Sequence, residues 1–135
     1  MFFLYFDVQY IIETICTLCY DILKGRCINR QMIKIEVADT FISRFLGLMG
    51  RKNLPQGHGL LISPCSSIHM LFLRFSIDAV YINKDFEIQK IVPHLKPWIG
   101  FSICINAWSV IEISAGEAER LNLKVGQKIK VDAGE

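Results

Sequence analysis

The residues that could do chemistry are concentrated in one stretch of the chain, residues 65–78. Here an apolar run with the length of a β-strand is interrupted by His69, Arg74 and Asp78. A polar group within such a run costs free energy unless it finds a partner. Each of the three therefore needs a structural partner in the fold or a ligand.

Two interpretations of these residues remain open from the sequence. In the first, Arg74 and Asp78 form an ion pair across the bend at Ser76, and His69 is hydrogen-bonded to a nearby carbonyl group. In the second, Arg74 binds a carboxylate or phosphate of a ligand, and His69 is a hydrogen-bond donor or a base. A nucleophilic pair of Cys65 and His69 is disfavoured, because four residues of extended chain separate them by roughly 13 Å.

Three other residues complete the candidate set. Arg51, near the C-terminal end of a predicted helix, is a further candidate ligand-binding residue. Trp98 is a candidate wall of an aromatic groove, together with Phe101 and Trp108. Glu112 interrupts an apolar strand, and we expect it either to face solvent or to pair with a core arginine.

Composition excludes several classes of function. The chain has 135 residues, enough for one domain with a real core, and its net charge of +2 is far from the strongly basic balance of nucleic-acid binding proteins. The histidines and cysteines lack a recognised metal-ligand spacing, and no glycine-rich phosphate loop is present. We therefore expect no metal, no cofactor and no nucleic acid. Five irregularly spaced cysteines indicate reduced thiols and a cytoplasmic location.

Residues 1–31 differ in composition from the rest of the chain. Their apolar run contains Asp7 and Glu13 and has no basic segment before it, which argues against a signal peptide and a transmembrane span. An apolar residue recurs every three or four positions, which predicts an amphipathic helix over Val8, Ile12, Ile15, Cys19 and Ile22. Such a helix could dock on the domain or on a membrane, and membrane contact would depend on it. The alternative is that the native protein begins at Met32, so we assign a single domain to residues 32–135.

From residue 32 onward, short apolar segments alternate with turn residues. The patterns predict two helices, at 41–49 and 117–121, the second preceded by a capping-box sequence, SAGE at 114–117. They predict strands at 33–37, 60–62, 68–75, 77–82, 86–92, 103–106, 107–113 and 128–131. The expected fold is α+β and mainly β, a small curled antiparallel sheet or a partly open barrel with two short helices.

Four motifs together resemble the family called domain of unknown function 192. They are FLGLMGR at 45–51, LP at 54–55 with GLLI at 59–62, SIHMLFLRFSIDAVY at 67–81, and VIEISAG at 110–116 with VG at 125–126. The resemblance covers about residues 34–131 and implies a small β-rich fold of bacteria and archaea without an agreed activity. The family pattern usually has proline, methionine and aspartate where this chain has Ser76, Leu73 and Gln127.

Two functions remain open from the sequence. The preferred one is a non-enzymatic module that binds a small polar ligand or a protein partner near residues 69–78, since no catalytic constellation can be assembled. The alternative is a hydrolase-like enzyme with His69 as base and Asp78 or Glu112 as the residue that orients it. An enzyme would need His69 and an acid within hydrogen-bond reach of each other and open to a pocket, and this geometry distinguishes the two functions.

Overall fold

The structure is a computed structural model that describes residues 33–130. The helix predicted within residues 1–31 lies outside the described residues, as does the polar tail at 131–135. Between them the chain forms seven strands and two short helices. In chain order these are β1 (Lys34–Ala38), α1 (Phe41–Leu46), β2 (His58–Ile62), β3 (Ser67–His69), β4 (Ile77–Ile82), β5 (Ile88–Leu95), β6 (Phe101–Ile103), β7 (Ser109–Ser114) and α2 (Glu117–Arg120).

Five strands form one open sheet in the order β1-β2-β7-β4-β5, and β3 pairs with β6 in a separate two-stranded sheet. All pairs are antiparallel except β1 with β2, which run parallel. The predicted mainly-β class with two short helices is confirmed, and neither sheet closes into a barrel. Among the described residues, no helix has the length and apolarity needed to span a bilayer.

The centre of the five-stranded sheet is buried on both faces, whereas its edge strands β1 and β5 are partly exposed. Every residue of β4 is buried, and so is every residue of β7 except Ser114 at its end. Alternate side chains point to opposite faces, so Val110 packs in one apolar cluster and Ile111 in the other. Strands buried on both faces read as continuous apolar runs, and this explains their lack of polar alternation. Glu112 lies on the same face as Val110.

The strand predicted at 68–75 is wrong over most of its length. β3 ends at His69, and the chain turns at once, with the Met70 carbonyl accepting hydrogen bonds from the amides of Leu73 and Trp98. Phe72 within this turn has a φ of 65°, a backbone conformation that is rare outside glycine. Met70 and Leu73 are buried in this turn, whereas Leu71 and Phe72 are exposed. Periodicity alone does not distinguish such a turn from a buried strand.

Two other predictions need correction. The strand predicted at 86–92 extends further, since β5 continues through Pro93 to Leu95. The predicted last strand is reduced to one bridge between Glu87 and Lys128 within the described residues. The β4–β5 hairpin is correct, and the side chain of Asn83 accepts amide hydrogen bonds in its turn.

The two helices begin differently. The hydroxyl of Thr40 accepts a hydrogen bond from the Ser43 amide, and the Ser43 hydroxyl accepts one from the Thr40 amide, so α1 has a complete capping box. For α2 the predicted capping box is wrong: Ser114 ends β7, and the residue before the helix is Gly116, which has no side chain to cap it. The donors at this end are satisfied from elsewhere in the fold.

Candidate functional site

Asp78 is fully buried and holds the start of α2. Its Oδ2 accepts hydrogen bonds from the amides of Gly116 and Ala118 at 3.0 and 2.9 Å, and its Oδ1 accepts one from the amide of His94 at 2.9 Å. Three amide donors surround both carboxylate oxygens. Asp78 therefore replaces the missing cap of α2 and fastens that helix and β5 to β4.

The ion pair expected between Arg74 and Asp78 is wrong. Arg74 is exposed in the turn before β4, and residues 33–130 contain no salt bridge between these two side chains. The reason is that three backbone amides from β5 and the start of α2 already donate hydrogen bonds to the buried carboxylate. An arginine could reach it only by desolvating its own charge.

Arg51 and Trp98 lie at separate places on the surface. Arg51 donates two hydrogen bonds to the carboxylate of Glu36 on β1, with Nη2–Oε2 at 2.5 Å and Nη1–Oε1 at 3.3 Å, and this contact lowers the pKa of Glu36. Trp98 is half exposed, and its ring meets the ring of Phe72 edge-on with centroids 5.6 Å apart. Both residues were candidates for ligand binding, and in the fold each contacts another side chain, Glu36 for Arg51 and Phe72 for Trp98.

A small cavity lies between α1, β3 and the face of the large sheet. Its volume is about 90 Å³. Its lining residues include Glu112 of β7, Arg44 of α1, Cys65 in the loop before β3 and His69 at the end of β3. Its walls are otherwise mostly apolar, and they include Phe45, Leu48, Met49, Ile62, Ile68 and Leu73.

Glu112 is an uncompensated polar group in this cavity. The residue is only 4% exposed, and its Oε2 has no hydrogen-bond partner among the described residues. β7 lies between β2 and β4, with Leu60 and Ala79 paired to Glu112 on either side, so the strand fixes the direction of the side chain. A Cβ added at Gly47, where α1 ends, would lie 3.9 Å from Oε2 and 3.8 Å from Ile62 Cδ1. The absence of a side chain at Gly47 leaves space beside the carboxyl group.

Burial also controls the ionisation of Glu112. Loss of water around the carboxyl group raises its pKa to about 7, and the positive charge of Arg51 acts in the opposite direction. The carboxyl group therefore exists in both protonation states near neutral pH. Its Oε2 lacks a hydrogen-bond partner among residues 33–130, and a bound molecule could supply one.

The other polar groups of the cavity are less buried. Arg44 Nη1 lies 3.4 Å from the carbonyl oxygen of Ser63, and His69 is exposed on β3, opposite Phe101 of β6. The Cys65 thiol donates a hydrogen bond to the Ser67 carbonyl at 3.0 Å, and burial raises its pKa. A thiol with a raised pKa is a poor nucleophile, and this too argues against a nucleophilic pair of Cys65 and His69.

The fold thus brings together only part of the predicted site. His69 and Glu112 line the same cavity, whereas Arg51, Arg74, Trp98 and Asp78 lie outside its lining. Glu112 is buried, and it forms no ion pair with an arginine within the part of the chain that the structure describes, so both expectations for it were wrong. The signal for its burial was available in the sequence.

That signal is the apolar run VIEI at 110–113, in which Glu112 is the only polar residue. A strand of this composition is buried on both faces, so its single acid must be buried too. Arg44 and Gly47 were missed because they read as part of an ordinary amphipathic helix and its end. Within residues 33–130, no three His, Cys, Asp or Glu side chains cluster as metal ligands would.

Together, fold and site define a small mainly-β domain with one buried carboxyl group in an apolar cavity. The sequence profile of the DUF192 family, described as "Uncharacterized ACR", matches residues 25–131, and the chain belongs to this family. The chain is 33% identical over 115 residues to a UPF0127 protein of Pyrococcus furiosus, an alignment that covers 82% of this chain and 94% of that protein.

Two solved structures share the fold. One is a protein of unknown function from Novosphingobium aromaticivorans, with a TM-score of 0.63 and 24% identity over 68% of this chain and 70% of that chain. The other is a candidate transcription regulator from Sinorhizobium meliloti, with a TM-score of 0.64 and 24% identity over 68% of this chain and 76% of that chain. At this identity the likeness shows the fold alone.

Proposed function

We propose that this domain is a binding module whose cavity takes a small ligand with an apolar stem and a hydrogen-bond donor. The donor meets Oε2 of Glu112. The observation that supports this proposal is the unpartnered oxygen itself, in a residue 4% exposed that lines an open cavity. Buried polar groups in folded proteins are almost always hydrogen-bonded, so a free one in a cavity indicates a place for a partner.

The size and walls of the cavity restrict the ligand. A cavity of about 150 Å³ accommodates benzene, so the volume of about 90 Å³ suits a group of only a few heavy atoms. The apolar walls favour an aliphatic stem, and the carboxyl group favours an amine, amide or hydroxyl at its end. Such a group can belong to a free metabolite or to the end of a side chain on a protein partner.

A panel of four-carbon probes tests this proposal. We would titrate n-butylamine, butyramide, n-butanol and butyrate into ¹⁵N-labelled protein and follow the amide resonances of Gly47, Leu48 and Ile68 by NMR. We expect saturable shifts of these resonances with at least one of the three probes that donate a hydrogen bond, and the weakest response with butyrate near pH 8. The same titrations on Glu112→Leu should lose the response, because leucine leaves no oxygen to accept the donor.

Arg74→Ala is the matched control for these titrations. Arg74 is exposed and lies outside the cavity lining, so its replacement should leave the shifts of the wild-type protein in place. If none of the four probes shifts the cavity resonances, or if Glu112→Leu responds as the wild type does, the proposed binding site is wrong.

One observation favours a second candidate, a hydrolase-like enzyme. His69 and Glu112 line the same cavity, whereas Asp78 is occupied by three backbone amides. In such an enzyme the residue that orients His69 would therefore be Glu112 and not Asp78. Hydrolysis of p-nitrophenyl acetate at pH 8 that falls at least tenfold in both His69→Ala and Glu112→Leu would support it. Equal rates in the three proteins would contradict it.

A further inference from the structure

Helix α1 presents an apolar face to solvent. None of its six residues is buried, and four large apolar side chains are exposed: Phe41 by 76%, Ile42 by 70%, Phe45 by 64% and Leu46 by 49%. We call these four residues the α1 face. A short helix gains most of its stability from burying an apolar side, and α1 buries none of its residues. A contiguous apolar surface of this kind normally marks a site that another element covers.

We propose that residues 8–22 of the same chain dock on the α1 face. This segment has the complementary pattern, an apolar stripe at three- and four-residue spacing over Val8, Ile12, Ile15, Cys19 and Ile22. In a helix, the acidic residues Asp7, Glu13 and Asp21 would project away from that stripe. The docked segment would therefore present its apolar side to α1 and its charged side to water.

The length of chain before β1 permits this contact. Residues 23–33 join the segment to the first strand, and eleven residues can extend up to about 36 Å. β1 leads directly into α1, with only Asp39 and Thr40 between them. A helix over residues 8–22 would be about 22 Å long, against about 9 Å for the six residues of α1. One segment of this length can cover the whole α1 face.

Charge favours this occupant over a second copy of the domain. Residues 1–23 contain three acidic residues and no Lys or Arg. Residues 33–130 carry twelve Lys and Arg against eight Asp and Glu, and one of the twelve, Arg44, lies on α1 itself. Two copies of the domain would each bring this excess of positive charge to the contact, whereas the charged side chains of residues 1–23 are all negative.

Hydrogen exchange in the full chain tests the proposal. The stripe variant carries Ile12→Asp with Ile15→Asp, and the matched control carries Gln9→Asp with Thr14→Asp, which adds the same charge on the other side of the segment. We expect the α1 amides, residues 41–47, to exchange about tenfold faster or more in the stripe variant than in the wild type and the control. The amides of β4 and β7 should be equally protected in all three proteins, which shows that the domain is folded.

Three results would overturn the proposal. The first is equal exchange of the α1 amides in the three proteins. The second is protection that grows with protein concentration while the wild type sediments as a dimer, since a second copy would then cover the α1 face. The third is protection that appears only with vesicles of phosphatidylcholine and phosphatidylglycerol, since a membrane would then be the occupant. A further variant, Phe41→Ser with Ile42→Ser, should raise α1 exchange like the stripe variant if the contact is direct.

Discussion

Oδ2 of Asp78 accepts a 2.9 Å hydrogen bond from the backbone amide of Ala118, forty residues further along the chain. Ala118 is the second residue of α2, the position where a helix cap normally accepts its hydrogen bond. The residue that precedes α2 is a glycine and cannot supply this contact. A strand in the centre of the fold therefore caps a helix that is distant in sequence.

Replacement of Asp78 by alanine should destabilise the protein strongly. It leaves three amides without an acceptor, those of His94, Gly116 and Ala118, in the interior or near it. We expect a loss of about 3–5 kcal/mol in the free energy of unfolding, measured with urea. The control is Asp85→Ala in the exposed β4–β5 turn, with an expected change within about 0.5 kcal/mol. Similar losses for both variants would contradict the capping role of Asp78.

Replacement of Glu112 by glutamine should change how stability depends on pH. The folded pKa of about 7 lies above the ordinary value of 4.5, so the folded state holds a proton that the unfolded state has lost. This contribution to stability is complete below pH 4.5 and is lost as the pH rises to about 7. Relative to Glu112→Gln, the wild type should lose about 3 kcal/mol between pH 4.5 and pH 8.

Urea unfolding of both proteins at pH 4.5, 6 and 8 checks this prediction. Taking the difference between the two proteins at each pH cancels the effects of the other titrating groups. A difference that stays constant over this range would show that the Glu112 carboxyl group is not held in a desolvated environment.

Glu117 should give the opposite dependence on pH. Its carboxylate accepts hydrogen bonds from Arg120 and from the Gly57 amide, and these contacts lower its pKa, with the Arg120 contact the larger cause. A lowered pKa stabilises the fold above the ordinary value and loses that effect as the pH falls through the folded value. The advantage of the wild type over Glu117→Gln should therefore be larger at pH 7 than at pH 3. If the stability advantage of the wild type over Glu117→Gln grows as the pH falls, this prediction is wrong.

Gly100 should not tolerate even a methyl group. A Cβ at this position would lie 2.5 Å from the carbonyl oxygen of Lys96, 2.6 Å from Met70 Cγ and 2.8 Å from Leu95 Cγ. We expect Gly100→Ala to lower the free energy of unfolding by about 2–3 kcal/mol, because backbone atoms must move. Gly126→Ala is the control, since its Cβ meets nothing within 4 Å and the cost is about 1 kcal/mol from its φ of +87°.

The sequence predicted local structure better than it predicted contacts. The bounds of β4 at residues 77–82 and the start of α1 at Phe41 were correct, because strand runs and cap residues are local signals. The end of β3 was missed because the turn that follows it places Phe72, and not a glycine, at a positive φ. The sequence therefore carries no turn signal there. The role of Asp78 was missed for a different reason: its partners come from β5 and from the start of α2, which a local pattern does not reveal.

The candidate site was half predictable for a similar reason. His69 was identified from its place in an apolar run, and it does line the cavity. The cavity itself forms only when α1, β3 and β7 meet, and these elements are separated by many residues. A buried acid can be found from its neighbours in one strand, but the space in front of it depends on three elements at once.

The position of β7 in the large sheet has a consequence for synthesis on the ribosome. β7 is the middle strand of the sheet, hydrogen-bonded to β2 on one side and β4 on the other, yet it is the last of the seven strands within residues 33–130. Until residue 114 has left the exit tunnel, β2 and β4 expose unpaired edges that can join another chain. The edges of β2 and β4 that β7 covers in the folded sheet therefore stay unpaired until β7 emerges. We expect the domain to fold only after this strand emerges, in one late step.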